Sequence, residues 1–312
     1  MSSSPNPIAV FVTGAHLDVV GRLNSAPVPG VSNPGKLENV PGGISLNMAS
    51  AAVQLGLNCA IVGPIGDDLA GTQVRDAIST RGIIDAMTPG GETGIYTSIL
   101  SPDGTLVIAI ADLEIYEKIT ASMIFDHHKD VLSAANFWVL NTNVSASVLA
   151  EIIREKKTGF TTNARIVAAT ISLAKAPRLN SILDSIDVLF TNKQEAMSLL
   201  GRDDLENNSD LCKELQGLGV KSGTISDCAG ALFWWCGEDC GTLSPSRLEN
   251  IASVTGAGDA LAGSVVAGLA KGLDFETAVK LGMAAAKMTL QSDGPVCLQL
   301  NWEILESENI AV

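Results

Sequence analysis

Val254-Thr255-Gly256-Ala257-Gly258-Asp259 runs directly into the small-residue helical pattern Ala260-Leu261-Ala262-Gly263-Ser264-Val265. Gly256, Ala257 and Gly258 carry no bulky side chain, so their backbone N–H groups can turn toward one point, where the following helix adds its positive N-terminal end. The result is a seat for an anion. An aspartate at the rim of such a seat repels its guest, unless it takes a proton from a nucleophile attacking a phosphoryl group held there. On this reading Asp259 is the base of a phosphoryl-transfer site. A second reading fits the same residues: glycines supplying positive φ in a turn, and an aspartate capping a helix. The rest of the chain weighs between them.

A chain of 312 residues, 46% hydrophobic and 17% charged, is long enough for one large α/β domain or for one with a smaller appendage, and carries a substantial core. Its net charge of −14 speaks against a nucleic-acid-binding or anionic-membrane surface. A nucleotide can still bind where backbone N–H groups and Mg²⁺ neutralise it. Only Cys236 and Cys240 of the six cysteines lie close together, and no histidine accompanies them at a metal-site spacing. Most of the cysteines read as buried thiols. His16, His127 and His128 leave little material for a histidine-rich metal site. No signal peptide is read, and no apolar run nears about 18 residues. An intracellular soluble protein is therefore expected, of the cytoplasm or of an organelle matrix such as the peroxisome. Residues 1–7 read as a loose tail.

Outward from the glycine motif, short apolar runs alternate with helical patterns. Ile8–Thr13, Cys59–Val62, Phe137–Asn141, Ile166–Ala169, Val188–Thr191 and Gly223–Ser226 read as buried strands. Helices are predicted at 43–55, 68–80, 145–156, 193–200, 209–218, 257–271 and 274–291. This alternation predicts an α/β fold with a mostly parallel sheet covered on both faces. Ligands in that architecture bind beyond the carboxyl ends of the strands, where Asp18, Asn141, Asn192 and Asp227 fall. Two regions break the alternation. Residues 15–41 are rich in Pro and Gly, and 94–112 read as a hairpin turning at Pro102-Asp103-Gly104. Paired, they make a small β-sheet serving as a lid over the strand-end cleft; an ordinary edge extension is the other reading. The expected division is a kinase-type body of 1–14, 42–93 and 114–312, with a discontinuous lid of 15–41 and 94–113.

Pro41-Gly42-Gly43-Ile44-Ser45-Leu46-Asn47 opens a helix, with glycines that admit a ligand closely and Asn47 one turn in. Asp18, just past the first strand, can accept hydrogen bonds from two vicinal sugar hydroxyls. Each has a plain alternative, a turn and a loop cap. In Thr191-Asn192-Lys193-Gln194-Glu195 the pair Asn192 and Glu195 fits a capping box. It equally fits a site near a triphosphate, where Glu195 orders Mg²⁺ through water.

Taken together, these residues resemble the ribokinase-like (PfkB) family of sugar and nucleoside kinases over nearly the whole chain, from Val12 to about Leu290. Its two signatures match as Pro41-Gly42-Gly43 with Asn47, and as Val254 to Asp259. The resemblance implies Asp259 as catalytic base, with Gly256, Ala257 and Gly258 as the anion hole. It implies Asp18, Gly42, Gly43, Asn47 and Asn141 at the sugar. On the Mg-ATP side it implies Asn192, Glu195, Ser226, Asp227, Gly230 and Thr255. His16 stands where an asparagine often touches the sugar, and its two nitrogens could replace that role. Within the family, Ser32-Asn33-Pro34-Gly35-Lys36 and the run from Ile110 to Glu117 resemble the pseudouridine kinases. That implies transfer of the ATP γ-phosphoryl group to the ribose 5′-hydroxyl of pseudouridine, with the base near Ser32, Asn33, Thr93 and Asp112. A homodimer formed through the lid is also implied.

The chain departs from the family at Ser226-Asp227-Cys228, where relatives usually carry a Thr-Leu-Gly-like turn. A carboxylate near ATP phosphates is unfavourable unless screened. Ser253 stands where many relatives have an aspartate that helps to bind K⁺, so potassium activation at this position is expected to be weak or supported only by backbone carbonyls. The alternatives are a ribokinase or another sugar or nucleoside kinase, or a catalytically poor binding or regulatory member.

Overall fold

The computed structural model describes residues 9–159, 163–205, 207–227, 230–246, 248, 251–252 and 254–309. The expected tail, Ile8, Cys228, Ala229 and the proposed potassium position Ser253 lie outside the described residues.

In chain order the strands are β1 (Ala9–Val12), β2 (His16–Leu23), β3 (Gly35–Gly42), β4 (Cys59–Ile65), β5 (Ile84–Pro89), β6 (Ile95–Leu100), β7 (Leu106–Asp112), β8 (Phe137–Asn141), β9 (Arg165–Ala169), β10 (Val188–Asn192), β11 (Ser222–Ser226), β12 (Leu232–Cys236) and β13 (Asp239–Leu243). The helices are α1 (Ile44–Gln54), α2 (Leu69–Thr80), α3 (Glu114–Glu117), α4 (Ala121–Phe125), α5 (Lys129–Ala134), α6 (Ala146–Gly159), α7 (Lys193–Leu200), α8 (Asn208–Gly217), α9 (Ala257–Lys271), α10 (Phe275–Leu290) and α11 (Trp302–Asn309).

One sheet has nine strands in the order β13-β12-β11-β10-β9-β8-β1-β4-β5. It is parallel except where β12 pairs antiparallel with both neighbours. Its central strands are apolar on both faces, as a sheet covered by helices requires. Along β1 the alternation is plain: Ala9 and Phe11 join the core under α1, α9 and α10, and Val10 and Val12 join the opposite one. Asp68, Asn192, Asn207 and Asp274 each accept a backbone N–H at a helix start, so local polar chemistry fixes where α2, α7, α8 and α10 begin. The antiparallel edge β12–β13 and strand β5 are absent from the sequence reading.

The second sheet has four strands, ordered β3-β2-β6-β7. His16 pairs with Gly42, and Leu17 with Ile95, at the end where these strands leave the large sheet. Since β1 ends at Val12 and α1 starts at Ile44, the small sheet is rooted over the carboxyl end of β1. One of its faces carries exposed apolar side chains, with Leu37 73%, Ile108 58% and Ile110 63% accessible. Among the described residues, no helix is long and apolar enough to cross a membrane. Cys59, Cys212 and Cys297 are buried free thiols, whereas Cys236 and Cys240 are exposed on the β12–β13 hairpin.

Candidate active site

Helix α9 starts at Gly256, whose φ of +82° is left-handed and whose position no side chain could share: a Cβ there would stand 1.7 Å from the Pro295 carbonyl oxygen. Among the described residues, no side chain caps the helix. A Cβ on Gly258 would meet nothing within 4 Å, so the first turn faces open space. An uncapped helix start with an open glycine in its first turn fits an anionic group such as a phosphate.

Asp259 sits in that first turn and is only partly exposed. Asn47, in α1 and 212 residues away in sequence, donates from Nδ2 to Asp259 Oδ2 at 2.8 Å. The helices meet closely because Gly263 has no side chain; a Cβ there would fall 2.2 Å from the Met48 carbonyl oxygen. Asn47 is buried, and among the described residues its Oδ1 is without a hydrogen-bond partner. A buried acceptor with no partner costs free energy unless a ligand supplies the donor. Burial pushes the Asp259 carboxyl up to about 7, with Asp18 adding to the rise and the Asn47 hydrogen bond opposing it. A carboxylate tuned to near neutrality suits a general base.

Asp18 projects from β2 at the same end. A Cβ on Gly42 would lie 2.2 Å from Asp18 Oδ2, so the first glycine of the Pro-Gly-Gly motif makes room for this carboxylate. His16, nearly buried, hydrogen-bonds through Nε2 to Asp18 Oδ1 at 3.1 Å and through Nδ1 to Tyr116 Oη at 2.8 Å. Gly43, with φ +101°, would carry a Cβ 3.0 Å from His16 Nδ1. Asp18, Asn47 and Asp259 are thus brought together, with Gly42 and Gly43 packed against Asp18 and His16.

At the carboxyl end of β10, Asn192 Oδ1 accepts the Glu195 N–H at 2.9 Å and caps α7. Glu195 does not close a full capping box: its buried Oε2 accepts instead from the Thr170 hydroxyl. Asp227 is half exposed, and its Oδ2 lies 3.9 Å from Lys193 Nζ. That cation opposes the carboxylate which the sequence leaves unscreened. Ser226 ends β11, and the Gly230 N–H returns to the Asp227 carbonyl at 2.6 Å.

Other expected contacts are engaged elsewhere. Asn141 is buried and donates to the Thr13 and Ser45 hydroxyls, while its Oδ1 accepts the Asn143 N–H at 3.0 Å, which leaves it tying β8 to β1 and α1. The Thr93 hydroxyl accepts from the Gly66 N–H at 3.0 Å, and the Thr93 N–H donates to Asp68 at 2.8 Å. Asn33 folds back on its own loop through the Val28 N–H and the Val28 and Val31 carbonyls. Ser32 and Asp112 are exposed, in the β2–β3 loop and at the end of β7. Sequence reasoning assigned no role to Tyr116 or Lys193, because neither position carries a signal of its own; their partners are set by packing.

The sequence pattern of the pfkB family of carbohydrate kinases matches residues 10–299. A pseudouridine kinase of Escherichia coli (strain K12) is 26% identical over 298 residues, covering 91% of this chain and 90% of that protein. Among solved structures, a carbohydrate kinase from Agrobacterium tumefaciens has 30% identity and a TM-score of 0.83, covering 97% of each chain. An Arabidopsis thaliana ribokinase complexed with ribose and ATP has a TM-score of 0.82 at 21% identity, covering 97% of this chain and 98% of that one, a likeness of fold.

Proposed function

The chain belongs to the pfkB family of carbohydrate kinases, and from that premise we propose that it transfers the γ-phosphoryl group of ATP to the ribose 5′-hydroxyl of pseudouridine, giving pseudouridine 5′-phosphate. The observation that carries the chemistry is the Asn47–Asp259 contact at the uncapped start of α9, which sets a near-neutral carboxyl beside an open anion seat. The choice of nucleoside rests on the likeness to the Escherichia coli pseudouridine kinase and on the Ser32-to-Lys36 and Ile110-to-Glu117 sequences.

The ribose lies between the two sheets. Asp18 Oδ2 accepts from its vicinal hydroxyls, and the orphaned Asn47 Oδ1 accepts from a further one, turning the 5′-oxygen toward the α9 amides. Asp259 removes the 5′-hydroxyl proton as the O5′–phosphorus bond forms and the bond to the β-phosphate bridging oxygen breaks. N–H groups of the 256–258 turn face the transferring phosphoryl oxygens, which is where charge is carried in the transition state. Bound Mg²⁺ supplies further neutralisation of the triphosphate. Glu195 is the carboxylate on this side that fits it, through water, and Lys193 screens Asp227. The apolar face of the small sheet is assigned to a second copy of the chain, since a single layer of four strands leaves that face without cover.

ADP release with Mg-ATP, compared among pseudouridine, uridine, ribose and fructose, tests the reading. Preference for pseudouridine is expected. Preference for a free sugar keeps the chemistry and overturns the substrate; no turnover with any of them overturns both.

A further inference from the structure

We propose that Tyr116 and His16 form a relay that positions Asp18 for the acceptor sugar and ties the small sheet to the α/β body. The proposal rests on the reading of Asp18 as the sugar-gripping carboxylate.

Tyr116 Oη lies 2.8 Å from His16 Nδ1, and His16 Nε2 lies 3.1 Å from Asp18 Oδ1. The direction of each bond follows from the groups. A carboxylate only accepts, so His16 Nε2 carries the hydrogen and donates it. Nδ1 is then the acceptor, and the Tyr116 hydroxyl donates to it. Tyr116 is 1% exposed, and burial together with the Asp18 charge holds its phenol well above the usual range, so the proton stays on it as a donor. The carboxylate and the hydroxyl together hold the Nε2–H tautomer. In the other tautomer Nε2 would turn a lone pair on Asp18 and drive the carboxylate away. With Oδ1 held by His16, Oδ2 stays above Gly42, where there is no Cβ to displace it. His16 is thus a positioning residue, its two ring nitrogens both engaged within the protein.

The relay also crosses between the two parts of the fold. His16 and Asp18 belong to β2 of the small sheet, whereas Tyr116 sits in the short α3 turn beyond β7. That turn is anchored to the body: Arg178 donates to both carboxylate oxygens of neighbouring Glu117 at 2.9 and 3.1 Å, and to the Thr142 and Asn143 carbonyls after β8. Tyr116 is therefore fixed to the part that carries Asp259. The relay sets the height of Asp18 over the base rather than leaving it to the sheet alone.

Two measurements on the full-length protein test this. The first is the ¹⁵N spectrum of the imidazoles in the ligand-free protein, with the His16 signals identified by their loss in His16→Gln. The Nε2–H pattern is expected, changing to a mixed one in Tyr116→Phe; an Nδ1–H pattern, or a spectrum indifferent to Tyr116→Phe, overturns the relay. The second is steady-state kinetics with the acceptor that the wild-type protein turns over. One lost hydrogen bond in Tyr116→Phe should raise the acceptor KM about 5–10-fold. His16→Leu, which leaves Asp18 without its donor, should raise it roughly 10–100-fold. His16→Gln, with an N–H near the Nε2 position, should recover most of that loss. In all three the KM for ATP should stay within about twofold, because the relay does not touch the nucleotide side. Equal losses in both KM values, or no rescue by glutamine, mark a merely structural role and overturn the proposal. If the wild-type protein phosphorylates no acceptor tested, the proposed substrate falls while the imidazole spectrum still decides the relay.

Discussion

At the scale of single residues, with Asp259 as the proposed base, its raised carboxyl is expected to make activity and stability run in opposite directions with pH. In the folded chain it keeps its proton up to about 7, whereas an unfolded aspartate loses it near 4. The folded state therefore binds more protons across that window, and this group's contribution to stability declines as pH rises through it. Turnover needs the ionised form, so kcat/KM is expected to rise through the same window and level off above it. Asp259→Asn should lower kcat about 10²–10⁴-fold, the worth of a general base. The same substitution should raise the melting temperature of the ligand-free protein at pH 8 and leave it unchanged near pH 4, because the desolvated charge, which the single Asn47 hydrogen bond offsets only in part, is gone. Near-normal turnover in Asp259→Asn, or a lower melting temperature at pH 8, contradicts the assignment. The place of Asp259 after the glycines marks it in the sequence as the candidate base; its raised proton affinity was not legible there, since that comes from burial, with the Asp18 charge adding to it, and both are set by packing.

At the scale of elements, the first turn of α9 separates folding from binding between two glycines of one motif. Gly256 is held by left-handed φ and by the Pro295 carbonyl, so Gly256→Ala should destabilise the chain by roughly 1–3 kcal/mol and abolish activity. Gly258 has open space at its Cβ position, so Gly258→Ala should melt at or slightly above the wild-type temperature. Its methyl group would nevertheless intrude on the proposed phosphate seat, and a raised KM for ATP or a lowered kcat is expected. Thermal melts and kinetics on the pair check this; equal stability losses in both variants would count against the seat. Most of the large-sheet elements were legible because their signals are local: Phe137–Asn141 and Lys193–Leu200 have the bounds that apolar runs and caps indicate. β12 and β13 went unread, although Leu232–Cys236 is aromatic and apolar and Gly237-Glu238 turns it back. β5 ends in a proline and pairs on one side only, so it lacks the long buried run that marks an inner strand.

At the scale of the whole molecule, the proposed association through the small sheet rests on its exposed apolar face. Leu37, Gly21, Ile99 and Ile108 fall in one row across its four strands, giving an apolar face continuous across the sheet. With that face closed by a second copy, sedimentation should give a dimer in the wild-type chain and a monomer in Ile108→Glu, without loss of the fold. A wild-type monomer at micromolar concentration would contradict the assignment. The acidic charge of the chain places no obstacle here, because the row itself is uncharged.

What the sequence determined by itself is whatever depends on neighbours along the chain. The strand-helix alternation, the helix caps at Asp68 and Asn192, the glycines that must turn at 42–43 and 256–258, and an aspartate at a helix start are all of this kind. Only the tertiary structure decided which polar groups remain free for a ligand. Asn141, Thr93 and Asn33 look available in the sequence, yet their hydrogen bonds are taken by Thr13, Gly66 and Val28. Asn47 keeps an acceptor unmet, and His16 gains both its partners, through contacts between elements far apart in sequence. A side chain's donors and acceptors are fixed by its chemistry, but whether they are already satisfied depends on how closely distant backbones approach, and that is settled by packing, as at Gly263 against Met48.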